Sequence, residues 1–112
     1  MHELGISRNI VAIVSEAARG RRVVRVTLEI GKLSGVMADA LAFCFDATTV
    51  GTVLEGAVLD IREIDGRARC LRCQAEFDIA TLLDACRCGS RQLKHVAGQE
   101  LNVKSMELEE AA

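Results

Sequence analysis

The sequence predicts an α+β fold in which two helices cover one face of a small three-stranded, mostly antiparallel sheet, with a zinc-ribbon-like lobe inserted between two strands. Two stretches repeat their apolar residues with helical spacing, and three alternate apolar and polar residues as half-buried strands do. Four cysteines fall in two close pairs between the second and third of these strands. Half of the 112 residues are apolar, so a hydrophobic core is available.

The first helix is predicted over residues 4–19. Its apolar residues recur at helical spacing, namely Ile6, Ile10, Ile13, Val14 and Ala17, with Val11 and Ala18 widening the stripe. Ser7 and Ser15 lie off this stripe, so we expect them to face solvent. Gly20 can end the helix in a left-handed conformation.

The second helix is predicted over residues 37–50, directly before Gly51. One face of this helix carries Met37, Leu41, Cys44, Phe45 and Thr48. Cys44 lies between two phenylalanines and is interpreted as a thiol of the core, where unpaired cysteines are common.

Strands are predicted over residues 24–30, 57–64 and 101–108. The inward residues of the first two strands are Val24, Val26, Leu28, Ile30, Leu59 and Ile61. In the third strand the apolar phase changes between Val103 and Met106, which predicts a β-bulge. The simplest architecture makes the second and third strands neighbours. The predicted domains are then residues 1–66 with 97–112, and residues 67–96.

The four clustered cysteines predict a structural zinc site. Cys70 and Cys73 form a C-x-x-C pair, whereas Cys86 and Cys88 form a C-x-C pair that is one residue short of the usual zinc ribbon. Zinc takes four thiolates tetrahedrally. Disulfides, a redox pair and plain buried thiols are the alternatives, and the odd count of five cysteines argues against disulfides.

The lobe between the cysteine pairs is too small to fold on apolar burial alone. Its expected core consists of Phe77, Ile79, Leu82 and Leu83. Zinc binding would supply the missing free energy, on the order of 10 kcal/mol for structural zinc.

Charge and composition bear on partners and location. Residues 67–95 carry six Lys/Arg against three Asp/Glu, so four thiolates and one Zn²⁺ leave this lobe near neutral, while the whole chain has a net charge of −2. There is no Trp or Tyr and no basic, aromatic-bearing face, so we expect no nucleic acid partner. Neither a signal peptide nor a membrane span is recognisable, so the expected location is cytoplasmic.

The amino terminus offers a second set of metal ligands. The Met1 amine, the backbone amide nitrogens of His2 and Glu3, and the His2 imidazole could chelate one ion, and nitrogen-rich planar sites favour Ni(II) or Cu(II). The alternative is that His2 has no such role. Asp39 could approach this site, or could simply be an acid favoured at a helix amino terminus. His95 is expected at the surface.

No nucleophile–base pair, phosphate-binding loop or carboxylate dyad is recognisable, so the sequence does not indicate an enzyme. Two functions are open for the cysteine lobe. One is a zinc-ribbon interaction module for nucleic acid or a transcription complex. The other is a zinc–thiol redox switch, for which the short C-x-C pair is the only motivation.

The chain resembles the HypA/HybF family of nickel metallochaperones over nearly its whole length. The resemblance is carried by MHEL at residues 1–4, IGKLSGV at 30–36, LAFCF at 41–45, both cysteine pairs, CGS at 88–90 and ELNV at 100–103. It implies a nickel domain bearing His2, with the Met1 amine and Glu3 backbone as further ligands, and a structural zinc domain.

The resemblance also implies a non-enzymatic role. The family receives Ni(II) and passes it, with a HypB-like maturation GTPase, to the precursor of the [NiFe] hydrogenase large subunit, and some members also serve urease. A monomer or homodimer is expected. Two features depart from the family pattern: the second cysteine pair is usually C-x-x-C, and some members have an acid near the position of Met37, where this chain has Asp39 two residues later.

Overall fold

The structure is a computed structural model that describes residues 2–110. The elements in chain order are α1 (Glu3–Ala18), β1 (Val23–Gly31), α2 (Ala38–Thr48), β2 (Val58–Ile64), β3 (Gly66–Cys70), β4 (Glu76–Ile79), β5 (Leu93–Ala97) and β6 (Leu101–Leu108). They form two three-stranded sheets, of which the first carries both helices and the second lies in the lobe with the four paired cysteines. The predicted fold class is confirmed.

The first sheet has the strand order β2-β1-β6, so the predicted pairing of the second and third strands is wrong. β1 lies in the centre, parallel to β2 and antiparallel to β6. The physical reason is that α2 connects β1 to β2, and a helical crossover of this kind joins parallel neighbours. Thr27, on the face away from the helices, is also buried, as expected for a central strand.

Both helices pack on one face of this sheet, and the core lies between them and β1. It consists of Ile10, Val11, Val14, Ala18, Val23, Val26, Leu28, Ile30, Leu41, Phe45 and Leu54. Ile13 and Ala17 are exposed and Ser7 is fully buried, so these parts of the predicted α1 stripe are wrong. Val11 and Ala18, which widen the predicted stripe, are buried as predicted, because α2 packs against this flank of the helix.

Two irregularities in strand pairing set which side chains face the core. Leu28 pairs with Val103 and Thr27 with Ser105, so Lys104 is an extra residue and the predicted bulge is confirmed. A second shift leaves Val24 without a partner on β6. Val24 is therefore exposed and Val23 is buried in its place, which corrects the predicted inward face.

The second sheet has the order β4-β3-β5 with both pairs antiparallel. Ile79 is buried and Phe77 is half-buried, but Leu82 and Leu83 are exposed, so the predicted lobe core is only half correct. Asp84 explains the difference, because its carboxylate accepts hydrogen bonds from the N–H groups at the start of this turn and from the Thr81 hydroxyl. The ordered turn holds both leucines outward.

The two sheets meet where the loop after β1 bonds to both connections. Gly31 N–H donates to the Glu100 carbonyl at 2.8 Å, and Lys32 N–H donates to the Ile64 carbonyl at 2.9 Å. The Lys32 ammonium also lies 2.7 Å from the Asp65 carboxylate. This loop therefore ties the helix-bearing sheet to the cysteine-bearing lobe.

Three glycines allow this close approach. A Cβ on Gly31 would collide with the Gly98 carbonyl, and one on Gly98 would lie 2.6 Å from the Gly66 Cα. Gly98 has φ +112°, which side chains rarely tolerate. The Leu33 side chain fills the remaining space, since a Cβ on Gly66 would lie 2.6 Å from its Cδ1.

Candidate metal sites

The four paired cysteines come together at one end of the lobe. All four Sγ atoms lie within 4.8 Å of one another. Cys70 Sγ lies 3.7 Å from Cys88 Sγ, and Cys73 Sγ lies 3.5 Å from Cys86 Sγ. A tetrahedral zinc ion with bonds of about 2.3 Å separates its sulfurs by roughly 3.8 Å, so this donor set fits a zinc-sized ion.

The first cysteine pair occupies a hydrogen-bonded turn between β3 and β4. Gln74 N–H donates to the Cys70 carbonyl, and Cys70 N–H donates to the Ala75 carbonyl, both at 2.9 Å. Within the turn, the N–H groups of Arg72 and Cys73 point at the Cys70 sulfur, at 3.4 and 3.5 Å. Gln74, directly after the second cysteine, has φ +69°.

The second pair repeats this turn with one residue fewer. Gly89 N–H donates to the Cys86 carbonyl, and Cys86 N–H donates to the Ser90 carbonyl, again at 2.9 Å. Gly89 takes the place of Gln74, with φ +89°. The C-x-C spacing is thus accommodated by a tighter turn that needs a left-handed residue after the second cysteine, and glycine adopts that conformation without a steric cost.

The sulfur atoms carry the strongest electrostatic perturbation. The N–H of Cys73, followed by that of Arg72, lowers the pKa of Cys70 to about 6 against the effect of burial. Although the Cys88 N–H opposes it, burial together with the neighbouring thiols raises the pKa of Cys86 to about 12. Thiols this close cannot all ionise without a cation, and a divalent ion would displace the remaining protons.

The amino-terminal candidates lie at the other sheet. Met1 is outside the described residues. His2 is exposed and precedes the first turn of α1 with extended backbone angles, φ −90° and ψ 103°. The first backbone bond of the helix runs from Ile6 N–H to the His2 carbonyl, so the Glu3 amide lies in the first turn, where N–H groups have no intrahelical acceptor.

The Glu3 carboxylate joins the starts of the two helices, a contact that the sequence analysis missed. Glu3 Oε2 accepts a hydrogen bond from Met37 N–H at 3.1 Å. This bond, with the amide of Glu3 itself, lowers the pKa of the Glu3 carboxyl. An acidic residue is common in the first turn of a helix, so the sequence alone indicates only a local role for Glu3. The fold shows that its carboxylate accepts a hydrogen bond from the start of a second helix.

The remaining candidates are scattered. Asp39 is exposed in the first turn of α2, two residues after Met37, and therefore at the same end of the molecule as His2. His95 is exposed on β5, where its backbone pairs with Ala68, as expected of a surface residue. Cys44 is half-buried in α2, outside the four-cysteine cluster.

Fold and sites together define a small metal-handling protein, with four converging thiols in the lobe and an exposed histidine at the start of the helix-bearing unit. The chain belongs to the HypA family: the family model described as "HypA: Hydrogenase/urease nickel incorporation, metallochaperone, hypA" matches residues 1–108.

Relatives of known name match over almost their whole length. The chain is 56% identical over 110 residues to the hydrogenase maturation factor HypA of Nostoc sp. (strain PCC 7120), covering 98% of this chain and 97% of that protein. It is 47% identical over 110 residues to the hydrogenase maturation factor HypA of Geobacter sulfurreducens, covering 97% and 100%.

The fold is also that of a solved relative. The solution structure of the Ni metallochaperone HypA from Helicobacter pylori superposes with a TM-score of 0.71 at 24% identity, covering 96% of this chain and 97% of that one. At this identity the likeness supports the fold alone.

Membership of this family decides between the functional classes. The family is one of nickel-incorporating metallochaperones, so the chain is a metallochaperone and not an enzyme. The interaction-module alternative, for nucleic acid or a transcription complex, is not favoured by these matches. Within residues 2–110 neither helix is long and apolar enough to cross a membrane.

Proposed function

We propose that this chain binds Ni(II) at its amino terminus and delivers it to the precursor of the [NiFe] hydrogenase large subunit. A HypB-like maturation GTPase acts with it, in the cytoplasm. The names of the relatives, which are hydrogenase maturation factors, support the choice of hydrogenase over urease. The nickel ligands are the Met1 amine, the His2 imidazole and backbone nitrogen near Glu3.

The observation that carries the nickel proposal is the position of His2. Its side chain is exposed, and its backbone is extended and outside the helix. Coordination through the first-turn amide of Glu3 would break no intrahelical hydrogen bond. An exposed site of this kind lets a partner approach and take the ion by ligand exchange, which a delivery protein needs.

Zinc has a different role in this proposal. Cys70, Cys73, Cys86 and Cys88 hold one Zn²⁺ that stabilises the lobe, and the reducing cytoplasm keeps these thiols available. The zinc domain comprises residues 67–96, and residues 1–66 with 97–112 form the nickel domain. The converging sulfurs and the matched hydrogen-bonded turns support this assignment.

Two reciprocal variants test the division of metals. His2→Ala should abolish nickel binding in a calorimetric titration while elemental analysis still finds one zinc per chain. Cys73→Ala should lose the zinc while nickel still binds. A tag fused before Met1 converts its amine to an amide and should weaken nickel binding nearly as much as His2→Ala. Full nickel affinity in either amino-terminal variant would refute the proposed site.

A further inference from the structure

The outward side of α2 carries apolar residues that the core does not use. The exposed residues between positions 38 and 50, here called the α2 outer face, are Asp39, Phe43, Asp46, Ala47 and Val50. Phe43 is 78% exposed and Val50 is 68% exposed. The core is filled from the opposite side of the helix by Leu41 and Phe45, which are fully buried. Packing within the fold therefore does not account for an aromatic side chain at position 43.

The charged residues of the chain segment that carries this face all have one sign. Residues 33–61 contain no Lys or Arg, and their charged residues are Asp39, Asp46, Glu55 and Asp60. Asp60 pairs with arginines on the sheet, and the Glu55 carboxylate accepts from Gly51 N–H at 2.8 Å. Within the described chain, Asp39 and Asp46 form no ion pair. The α2 outer face is thus apolar with an acidic rim.

The α2 outer face begins beside the amino-terminal segment. The 3.1 Å bond from Met37 N–H to the Glu3 carboxylate joins the start of α2 to the start of α1. Asp39 follows two residues later, and His2 immediately precedes Glu3. A protein seated on this face therefore has one edge near His2, where an exchange of ligands can take place.

We propose that the α2 outer face docks the protein that exchanges nickel with this chain, and that this partner offers an apolar pocket rimmed by lysine or arginine. The inference rests on the proposed nickel function. Phe43 is the anchor that enters the pocket, since buried aromatic anchors carry much of the binding energy of interfaces. Asp39 and Asp46 steer and orient the partner.

A second copy of this chain is a poorer occupant of the same face. A two-fold contact would place the patch against itself, because symmetric dimers use the same surface on both subunits. Asp39 and Asp46 of both copies would then share one small interface to which the patch itself brings no cation, and like charges across an interface oppose binding. Charge complementarity therefore favours a cationic partner.

The test uses the purified maturation GTPase and the hydrogenase large-subunit precursor of the same organism. Binding of each to the full-length, zinc-loaded chain is measured by calorimetry and by association kinetics. Phe43→Ser should weaken binding of the docking partner about tenfold or more, as expected for an anchor. Asp46→Lys should slow association and reduce its dependence on salt, as expected for a rim charge.

Leu83→Ser is the matched control, because Leu83 is 79% exposed and lies on the lobe rather than on α2. It should change affinity less than about twofold, since peripheral contacts contribute little. All three variants alter exposed side chains and should bind nickel like the wild type.

Several outcomes would overturn the inference. One is that Phe43→Ser binds both proteins as tightly as the wild type while it still binds nickel. That result would reject the α2 outer face as the docking site and would leave the proposed nickel site unaffected. Another is that neither protein binds the wild-type chain. A third is that light scattering shows a wild-type dimer that Phe43→Ser dissociates, which assigns the face to a second copy. Failure of His2→Ala to lose nickel refutes the nickel site instead.

Discussion

Ser7 connects the two helices through a partly buried pair of hydroxyl groups. Its Oγ lies 2.7 Å from Thr48 Oγ1, and Thr48 Oγ1 also bonds to the Cys44 carbonyl at 2.9 Å. A hydroxyl has one proton, so when Thr48 donates to that carbonyl Ser7 donates to Thr48. The pair holds α1 against the carboxyl-terminal end of α2. His2 directly precedes the first turn of α1.

Ser7→Ala should lower the free energy of unfolding by about 1 kcal/mol, the usual net contribution of one hydrogen bond. Thr48 keeps its bond to Cys44, so no donor is left without an acceptor. Urea denaturation monitored by circular dichroism measures the change. Ser15→Ala is the control, since Ser15 is half-buried in the same helix and alanine favours helix there. Equal destabilisation by both changes would contradict the role of the hydroxyl pair.

At the scale of elements, the two cysteine turns differ in length but share their closing hydrogen bonds. The turn from Cys70 to Ala75 is one residue longer than the turn from Cys86 to Ser90. In each, a left-handed residue follows the second cysteine. The shorter turn is therefore a tighter form of the longer one. The longer turn shows that the same closing hydrogen bonds are compatible with one more residue.

Insertion of one glycine between Arg87 and Cys88 should keep zinc binding within about tenfold of the wild type. The insertion restores the C-x-x-C spacing, and the first cysteine pair already forms its hydrogen-bonded turn with that spacing. Competition with a chromogenic chelator measures the affinity.

The control places the same glycine between Arg72 and Cys73. This change lengthens a turn whose N–H groups already point at the Cys70 sulfur, and it should weaken zinc binding much more. The interpretation of the two turns fails if both insertions weaken binding equally.

At the scale of the whole molecule, the junction of the two sheets depends on glycines that nearly touch. Gly31, Gly66 and Gly98 come from three separate segments, and Leu33 packs among them. Leu33 N–H donates to the Gly98 carbonyl at 2.7 Å. The loop that contains Leu33 continues to Met37, whose N–H bonds to Glu3. One short segment thus contacts both the lobe junction and the start of α1.

Gly31→Ala should lower the free energy of unfolding by about 2 kcal/mol or more, because overpacking at a backbone contact forces the chain apart. Gly5→Ala is the control, since a Cβ there meets nothing within 4 Å. Gly5 lies in the first turn of α1, so alanine should be neutral or should stabilise by up to about 1 kcal/mol, the difference found in helix interiors. Chemical denaturation of both variants decides the matter, and a Gly31→Ala protein as stable as the wild type would rule out the close-packed junction.

The sequence by itself determined the elements that depend on local pattern. Both helices, the three strands of the first sheet and the bulge before Met106 follow from apolar periodicity, because side chains repeat with fixed spacing along a helix or strand. The convergence of Cys70 and Cys73 with Cys86 and Cys88 follows from the chemistry of paired thiols. The family resemblance, carried by the amino-terminal residues and these pairs, is likewise present in the sequence and is confirmed by the family match.

Tertiary structure alone decided what depends on neighbours distant in the chain. The central place of β1 and the buried Ser7 each result from a contact with another element. The outward Leu82 and Leu83 result instead from a local turn closed by Asp84, a hydrogen-bond pattern that apolar periodicity does not record. The bond between Glu3 and Met37 joins residues 34 positions apart. Periodicity records which side of an element is apolar, but it does not record which element covers that side, because many partners can bury the same surface.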